Sequence, residues 1–393
     1  MPGSASTRDL DAVRPPSPDL VAAYAAQQIE DATDSLWPTA SVRLGHIIPS
    51  VTSHVQQVTV EGRELYAKVS LLGVSLGTIL RGSCGDWPTV KANQDAYVAS
   101  PSALLAREAG HLSALDEAGL RVPAVAGYRH GVLFTEPVPG RTMGELVAAD
   151  PDCTADVLHL AAGELDTALR HRRLAVVVDR SPIPERSISG TFLRKFNGIS
   201  GPTYLAMTPH GGVLHGVVTR LRRAYRTPAP EPARRVVFGD LKPEHVLLPH
   251  DGRPVFIDPG LMRAHPCADT AKLVSRLVLG LIACPPPPQH TRAVLDGITA
   301  HLTAATAHLS AGERAAWLHH MATLWLMDTT NIVTTYLSQP PGLPLSPYAT
   351  AVVARAGAVC RMLDLASPAL TARRSSRDAW SACLVEAAQA AAL

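Results

Sequence analysis

The chain has 393 residues, 46% of them hydrophobic and 18% charged, a balance that builds a core and excludes wholesale disorder. At more than twice the rough 150 residues of a single domain, it is expected to form two lobes. A formal net charge of +2 selects neither nucleic acid nor membrane as partner. The longest apolar run, around Lys272, is broken by Arg276 well short of a ~20-residue span, and the first twenty residues lack a signal-peptide core, so a cytoplasmic protein is expected.

In chain order, residues 1–18 read as a polar, proline-containing leader. A helix is expected over 19–37, with Leu20, Ala23, Tyr24 and Ile29 on one face. Short alternating segments at 42–44, 55–60 and 65–69, separated by turn residues such as Glu61-Gly62-Arg63, predict a small antiparallel sheet. The stretch 71–100, with Gly73, Gly77, Gly82 and Gly85, reads as a loop-like insertion. A helix follows over 104–118, then a strand at 132–136 running into Pro-Val-Pro-Gly, then helices near 142–149 and 154–171.

Residues 170–235 carry 13 Arg and Lys against three acids. They form either a solvated surface or an anion or acceptor site, and within them 172–230 read as basic and Gly/Ser/Pro-rich, with one helical stretch near 213–226. Strand-like segments at 235–238, 246–248 and 255–257 follow, and the remainder is helical. The six cysteines (84, 153, 267, 284, 360, 383) show no CxxC or metal-ligand spacing and read as buried free thiols. Only five lysines occur beside 31 arginines: Lys68, Lys91, Lys195, Lys242 and Lys272. In so arginine-biased a chain, a retained lysine is the more telling cation.

The sharpest signal is Phe238-Gly-Asp-Leu-Lys-Pro-Glu-His-Val-Leu-Leu248 followed by Phe256-Ile-Asp-Pro-Gly260. Asp240 follows an apolar strand and sits in a polar loop that returns into another; Asp258 ends the next strand. Such a hairpin brings two carboxylates to one mouth, where one accepts a proton and the other holds a hard cation through oxygen.

These residues resemble the catalytic loop of protein kinases, and the glycine before Asp240 resembles the loop of aminoglycoside phosphotransferases and related small-molecule kinases. Ile-Asp-Pro-Gly is similar to the metal-binding Asp-Phe-Gly segment of that family. Upstream, Tyr66-Ala-Lys68-Val69 resembles the strand that carries the phosphate-neutralising lysine. The helix 107–115 resembles the one whose glutamate, here Glu108, pairs with that lysine. Phe134-Thr-Glu-Pro-Val-Pro-Gly140 resembles the hinge that holds adenine through its backbone, at Glu136 and Val138.

The resemblance spans about 41–275. It implies an α+β, protein-kinase-like two-lobed fold, with a leader (1–40), a small antiparallel-sheet N-lobe (41–136) and a larger helical C-lobe (137–393). It also implies Asp240 as catalytic base, Asp258 as ligand of Mg2+, Asp269 as a structural brace, and ATP or GTP as phosphoryl donor to a small-molecule acceptor. Phosphoryl transfer asks for this set, because it needs charge neutralisation and in-line positioning rather than covalent work.

Three departures qualify the resemblance. His245 stands where a second metal-binding Asn is usual and is a metal-ligand candidate beside Asp258. Imidazole is a poor partner for hard Mg2+, so His245 is expected to ligate weakly, act through water or leave one metal site in use. Phe238 replaces the usual His. No Gly-x-Gly-x-x-Gly loop exists, and Ser50, Thr52 and Ser53 occupy its place as candidate phosphate donors.

The expected function is ATP-dependent O-phosphorylation of a small-molecule hydroxyl, with resistance or self-protection against a natural-product antibiotic as the preferred role. The charge distribution favours an uncharged or acidic acceptor over a polycation. A biosynthetic small-molecule kinase, a nucleotide-binding pseudokinase and, last, a protein kinase are the alternatives. Neither a nucleic-acid nor a membrane partner is expected.

Overall fold

The computed structural model describes residues 15–226, 234–372 and 376–393; residues 1–14 of the expected leader and 227–233 of the basic segment lie outside them. Strands β1 (Val42–Ile48), β2 (His54–Val60), β3 (Arg63–Val69), β4 (Val125–Arg129) and β5 (Val132–Thr135) form an antiparallel sheet in the order β1-β2-β3-β5-β4. Glu61 and Gly62, with φ of 51° and 82°, make the two-residue turn that sets β2 against β3 from Val60 opposite Arg63. Strand β4 is absent from the sequence reading because its Val-Ala-Gly-Tyr-Arg lacks a clear two-residue alternation.

The helix expected over 19–37 forms as Pro18–Leu36, capped by the Ser17 side chain. Its buried stripe is Val21, Ala25, Ile29 and Ala32, while Leu20 is 42% exposed. The expected face is therefore turned. An alanine-rich helix is apolar nearly all round, and the sheet chooses which side to cover. Ala25, Ile29 and Ala32 pack on Val58, Leu65, Ala67, Val132 and Phe134, so this helix belongs to the sheet rather than to a detached leader.

The stretch 71–100 is not a loop. It contains two helices, Leu76–Leu80 and Trp87–Val98, started by side-chain caps from Ser75 and Asp86. Gly82 and Gly85, at φ of 72° and 94°, serve the turn between them. Arg81 donates to the Ser338 carbonyl at 3.0 Å and to the Tyr204 hydroxyl at 2.9 Å, tying this insertion to the helical half.

The helix Leu104–Glu117 packs Leu105 and Leu112 on Leu133 of β5. Beyond the sheet, one large apolar core joins the helices Thr154–Leu169, Gly211–Arg226, Ala268–Ala283, Ala311–Leu337, Ala356–Ala366 and Ser376–Ala392. The 170–235 segment is more helical than its composition predicts, with Arg172–Arg180, Ile188–Lys195 and Gly201–Ala206 preceding Gly211–Arg226. Cys267, Cys360 and Cys383 are buried free thiols as expected, whereas Cys84 and Cys153 are half-buried and Cys284 is exposed.

Five short strands carry the loops of interest: β6 (Arg141–Thr142), β7 (Arg235–Val237), β8 (Val246–Leu248), β9 (Val255–Phe256) and β10 (Met262–Ala264). The segments at 235–238 and 246–248 do not pair as one hairpin. Strand β7 pairs with β10, and β8 pairs with β6 and β9. The Asp240 loop thus leaves one ribbon and enters another, and Asp258 lies on the connection back from β9 to β10. No helix among the described residues is long and apolar enough to cross a membrane. The whole is an α+β architecture of a small antiparallel sheet and a larger helical body.

Candidate active site

On β3, Leu65, Ala67 and Val69 are buried towards the Pro18–Leu36 helix, so the two-residue period turns Lys68 to the opposite face. There its Nζ lies 2.7 Å from Glu108 Oε1 and also pairs with Asp258 Oδ1. Glu108 reaches this point from the buried face of the Leu104–Glu117 helix. Its second oxygen pairs with Arg186. Burial pushes the Lys68 ammonium down, but Asp258 and Glu108 outweigh it and hold the lysine charged.

Gly239 follows β7 at φ 83°, and a Cβ there would overlap the Gly260 carbonyl oxygen. Only glycine lets the two loops approach so closely. Asp269, in the first turn of the Ala268–Ala283 helix, accepts the backbone N–H of Phe238 at 2.8 Å and of Gly239 at 2.7 Å. Lys272 lies one turn further on the same helix. Its Nζ donates to Asp240 Oδ1 at 2.8 Å and to the Arg186 carbonyl at 3.0 Å. Lys242 Nζ stands 3.1 Å from Asp240 Oδ2. Burial alone pushes the Asp240 carboxyl up, but Lys242, Lys272 and Arg186 hold it well below the usual range.

His245 Nδ1 lies 2.9 Å from the Asp240 carbonyl. A carbonyl only accepts, so Nδ1 carries the hydrogen and Nε2 presents a lone pair. That Nε2 is 3.7 Å from Asp258 Oδ2 and 3.4 Å from Lys242 Nζ. Burial, with help from Lys242, drops the His245 pKa to about 4, so the ring is neutral at pH 7.

Asp258 adopts a left-handed φ of 58°, unusual for a non-glycine residue. Arg186 straps the turn by donating to the carbonyls of Asp258 at 2.9 Å and Pro259 at 2.8 Å. The Asp258 carboxyl is pushed up by burial but held low by Lys68 and Arg186. Lys68 occupies one carboxylate oxygen; the other stands 3.7 Å from His245 Nε2, and these two donors could hold a divalent cation. A carboxylate oxygen suits Mg2+, whereas the imidazole is the softer donor of the two.

Of the sequence-derived candidates, Lys68, Glu108, Asp240, His245, Asp258 and Asp269 therefore converge. The others stand along the sheet. Ser50, Thr52 and Ser53 form the turn from β1 to β2, where Ser50 Oγ accepts the backbone N–H of Thr52 at 3.3 Å and of Ser53 at 3.4 Å. Glu136 and Val138 lie between β5 and β6, with the Glu136 N–H donated to the Ala124 carbonyl at 3.0 Å. The Glu136 side chain is turned to the surface, where it pairs with Arg63.

Arg186, Lys242 and Lys272 are site residues outside the sequence-derived candidates. For both lysines a signal was present, since three of the chain's five lysines gather here. Arg186 had none; it is one arginine among the many of the basic segment.

No family model and no curated protein matches the chain. Among solved structures, it is similar to the amicoumacin kinase hAmiN in complex with AMP-PNP, Ca2+ and Ami, at 13% identity and a TM-score of 0.53, over 88% of this chain and 95% of that one. A putative aminoglycoside phosphotransferase from Ralstonia eutropha aligns over 88% of this chain and 97% of its own, at 11% identity and a TM-score of 0.49. The likeness to the amicoumacin kinase establishes the fold. The chain has the protein-kinase-like fold of that structure.

Proposed function

We propose that the protein is a cytoplasmic small-molecule kinase that transfers the γ-phosphoryl group of ATP, or GTP, to an acceptor hydroxyl. The acceptor we favour is a natural-product antibiotic, so that phosphorylation gives resistance or self-protection. The observation that carries the reading is the meeting of Lys68, Glu108 and Asp258 on one side with Asp240, Lys242 and Lys272 on the other, across loops that Asp269 and Arg186 hold. The likeness to a kinase solved with a nucleotide analogue, a divalent cation and its small molecule supports it.

In this reading the nucleotide lies beneath the sheet, with adenine along Glu136 and Val138 and phosphates against Lys68. Glu108 keeps the lysine stem in place, while Asp258 gives up its share of the ammonium to phosphate oxygens. Asp258 and His245 would hold a divalent cation, which would supply charge neutralisation to the phosphates. Asp240 orients the acceptor O–H and receives its proton late. A carboxylate held so low is a weak base, which suits a loose transition state that asks little of the nucleophile. Lys242 and Lys272 keep Asp240 ionised, and Lys242 faces the charge on the transferring group.

With Arg186, Lys242 and Lys272 around Asp240, an uncharged or acidic acceptor suits the site better than a polycation. A neutral His245 aimed at Asp258 also weakens the case for a pseudokinase, because the position still offers a donor. The test is transfer of labelled γ-phosphate to a panel of hydroxylated antibiotics, beside the minimum inhibitory concentration in a susceptible host. Transfer without any change in inhibitory concentration would favour a biosynthetic kinase. Absence of cation-dependent nucleotide binding would remove the enzyme reading altogether.

A further inference from the structure

Away from the Asp240 cleft, three side chains that bind soft metals meet. His265 lies in the turn after β10, Cys267 immediately precedes the Ala268–Ala283 helix, and His320 lies on the Ala311–Leu337 helix. One ligand atom from each lies within 4.8 Å of the others. Cys267 is fully buried and the two histidines are half-buried. Spacing along the chain hides it, because the third member comes from a helix more than fifty residues downstream.

We propose that His265, Cys267 and His320 form a binding site for one Zn2+, separate from the site at Asp258. One thiolate and two imidazoles are a borderline-soft donor set. It selects Zn2+, or Co2+ as its surrogate, over Mg2+ and Ca2+, and leaves a fourth tetrahedral position for water. Binding converts the Cys267 thiol to thiolate and releases its proton to solvent.

The chain adjusts to do this. In the structure the two imidazoles are stacked, with centroids 4.1 Å apart and planes at 21°, and nearly parallel rings cannot both aim lone pairs at one ion. Turning either ring about its Cβ–Cγ bond, a broad and soft torsion, brings them together. His265 Nδ1 meanwhile accepts the Cys267 backbone N–H at 3.2 Å, a bond that ligation through Nδ1 would replace. Arg235 donates to the Pro266 carbonyl at 3.3 Å. Burial pushes the Cys267 thiol well up, and Arg235 offsets this only in part, so the metal itself must displace the proton.

The site has a structural consequence. Cys267 stands two positions before Asp269, which holds the backbone of Phe238 and Gly239. A metal there ties the start of that helix to the long central helix, and stiffens the support of the Asp240 loop from behind.

The test uses metal-stripped full-length protein titrated with Co2+ alone. We expect one equivalent per chain to give a thiolate-to-cobalt charge-transfer band in the near ultraviolet. Zn2+ should displace it and a large excess of Mg2+ should not. Zn2+ at a hundredfold excess over its Kd should raise the melting temperature by a few degrees. Cys267→Ser should lose the band. His320→Asn, the control should the first variant fail to fold by circular dichroism, should weaken Co2+ binding and shift its visible bands. No band in the wild-type protein, or a band that persists in Cys267→Ser, overturns the assignment.

Discussion

The ammonium of Lys272 lies 2.8 Å from Oδ1 of Asp240, across 32 residues of sequence. Three positions earlier on the same helix, Asp269 holds the backbone that leads into Asp240. One helical turn thus fixes both where the loop runs and how its carboxylate is charged.

Replacing Lys272 by Met leaves Asp240 with Lys242 as its near cation and frees its carboxyl to titrate higher. The acid limb of the kcat profile is expected to move to higher pH, with KM for nucleotide little changed. Lys272→Arg should restore part of the shift. An unchanged acid limb in Lys272→Met would show that the lysine serves packing alone.

Asp240→Asn removes the proposed proton acceptor while keeping shape. Phosphoryl transfer is expected to fall by ~10²–10⁴-fold, with nucleotide affinity nearly unaltered in calorimetry. Retention of full activity would remove Asp240 from the chemistry.

Lys68→Met deletes the ammonium between Glu108 and Asp258. With a charge-assisted hydrogen bond at about 1.5–3 kcal/mol, nucleotide should bind roughly 10–100-fold more weakly. The same variant leaves the Glu108–Arg186 pair in place, so the folded state is expected to persist by circular dichroism.

Gly239→Ala places a methyl group against the Gly260 carbonyl and forces a non-glycine residue to φ 83°. The left-handed backbone alone costs ~1–2 kcal/mol, and the overlap adds to it. Urea unfolding should show a loss above about 2 kcal/mol, whereas Gly280→Ala, where a Cβ meets open space, should not.

His301, buried between helices beside His159, has its pKa pushed down to about 4 by burial and then by its neighbour. A folded pKa below the unfolded ~6.5 means the native state binds fewer protons. Stability is therefore intact above pH 6.5 and erodes as pH falls towards 4, by up to about 3 kcal/mol for this group. Urea midpoints at pH 7.5 and 5.0 should separate more in the wild-type protein than in His301→Gln.

The residues that converge at the candidate site are legible in the chain because they stand within recognisable motifs. Asp240, Asp258, Lys68, Glu108 and Asp269 stand in order within motifs, and the alternation of the first strands marks the sheet on which Lys68 rides. Arg186 was not legible. Its role comes from where the segment after the Arg172–Arg180 helix crosses the Asp258 turn, and composition presents it only as one more surface arginine. The partners of β7 and β8 were hidden for a similar reason. Three-residue strands specify their own alternation but not their neighbour, and the loops that Gly239 and Gly260 bring together decide the pairing.

Residue identity by itself thus determined which groups could neutralise, ionise or ligate. The packing of helices alone determined which of them meet. Lys272 on Asp240, Arg186 on Glu108, and His320 beside Cys267 are contacts between elements distant in sequence, set by which faces the core had to bury.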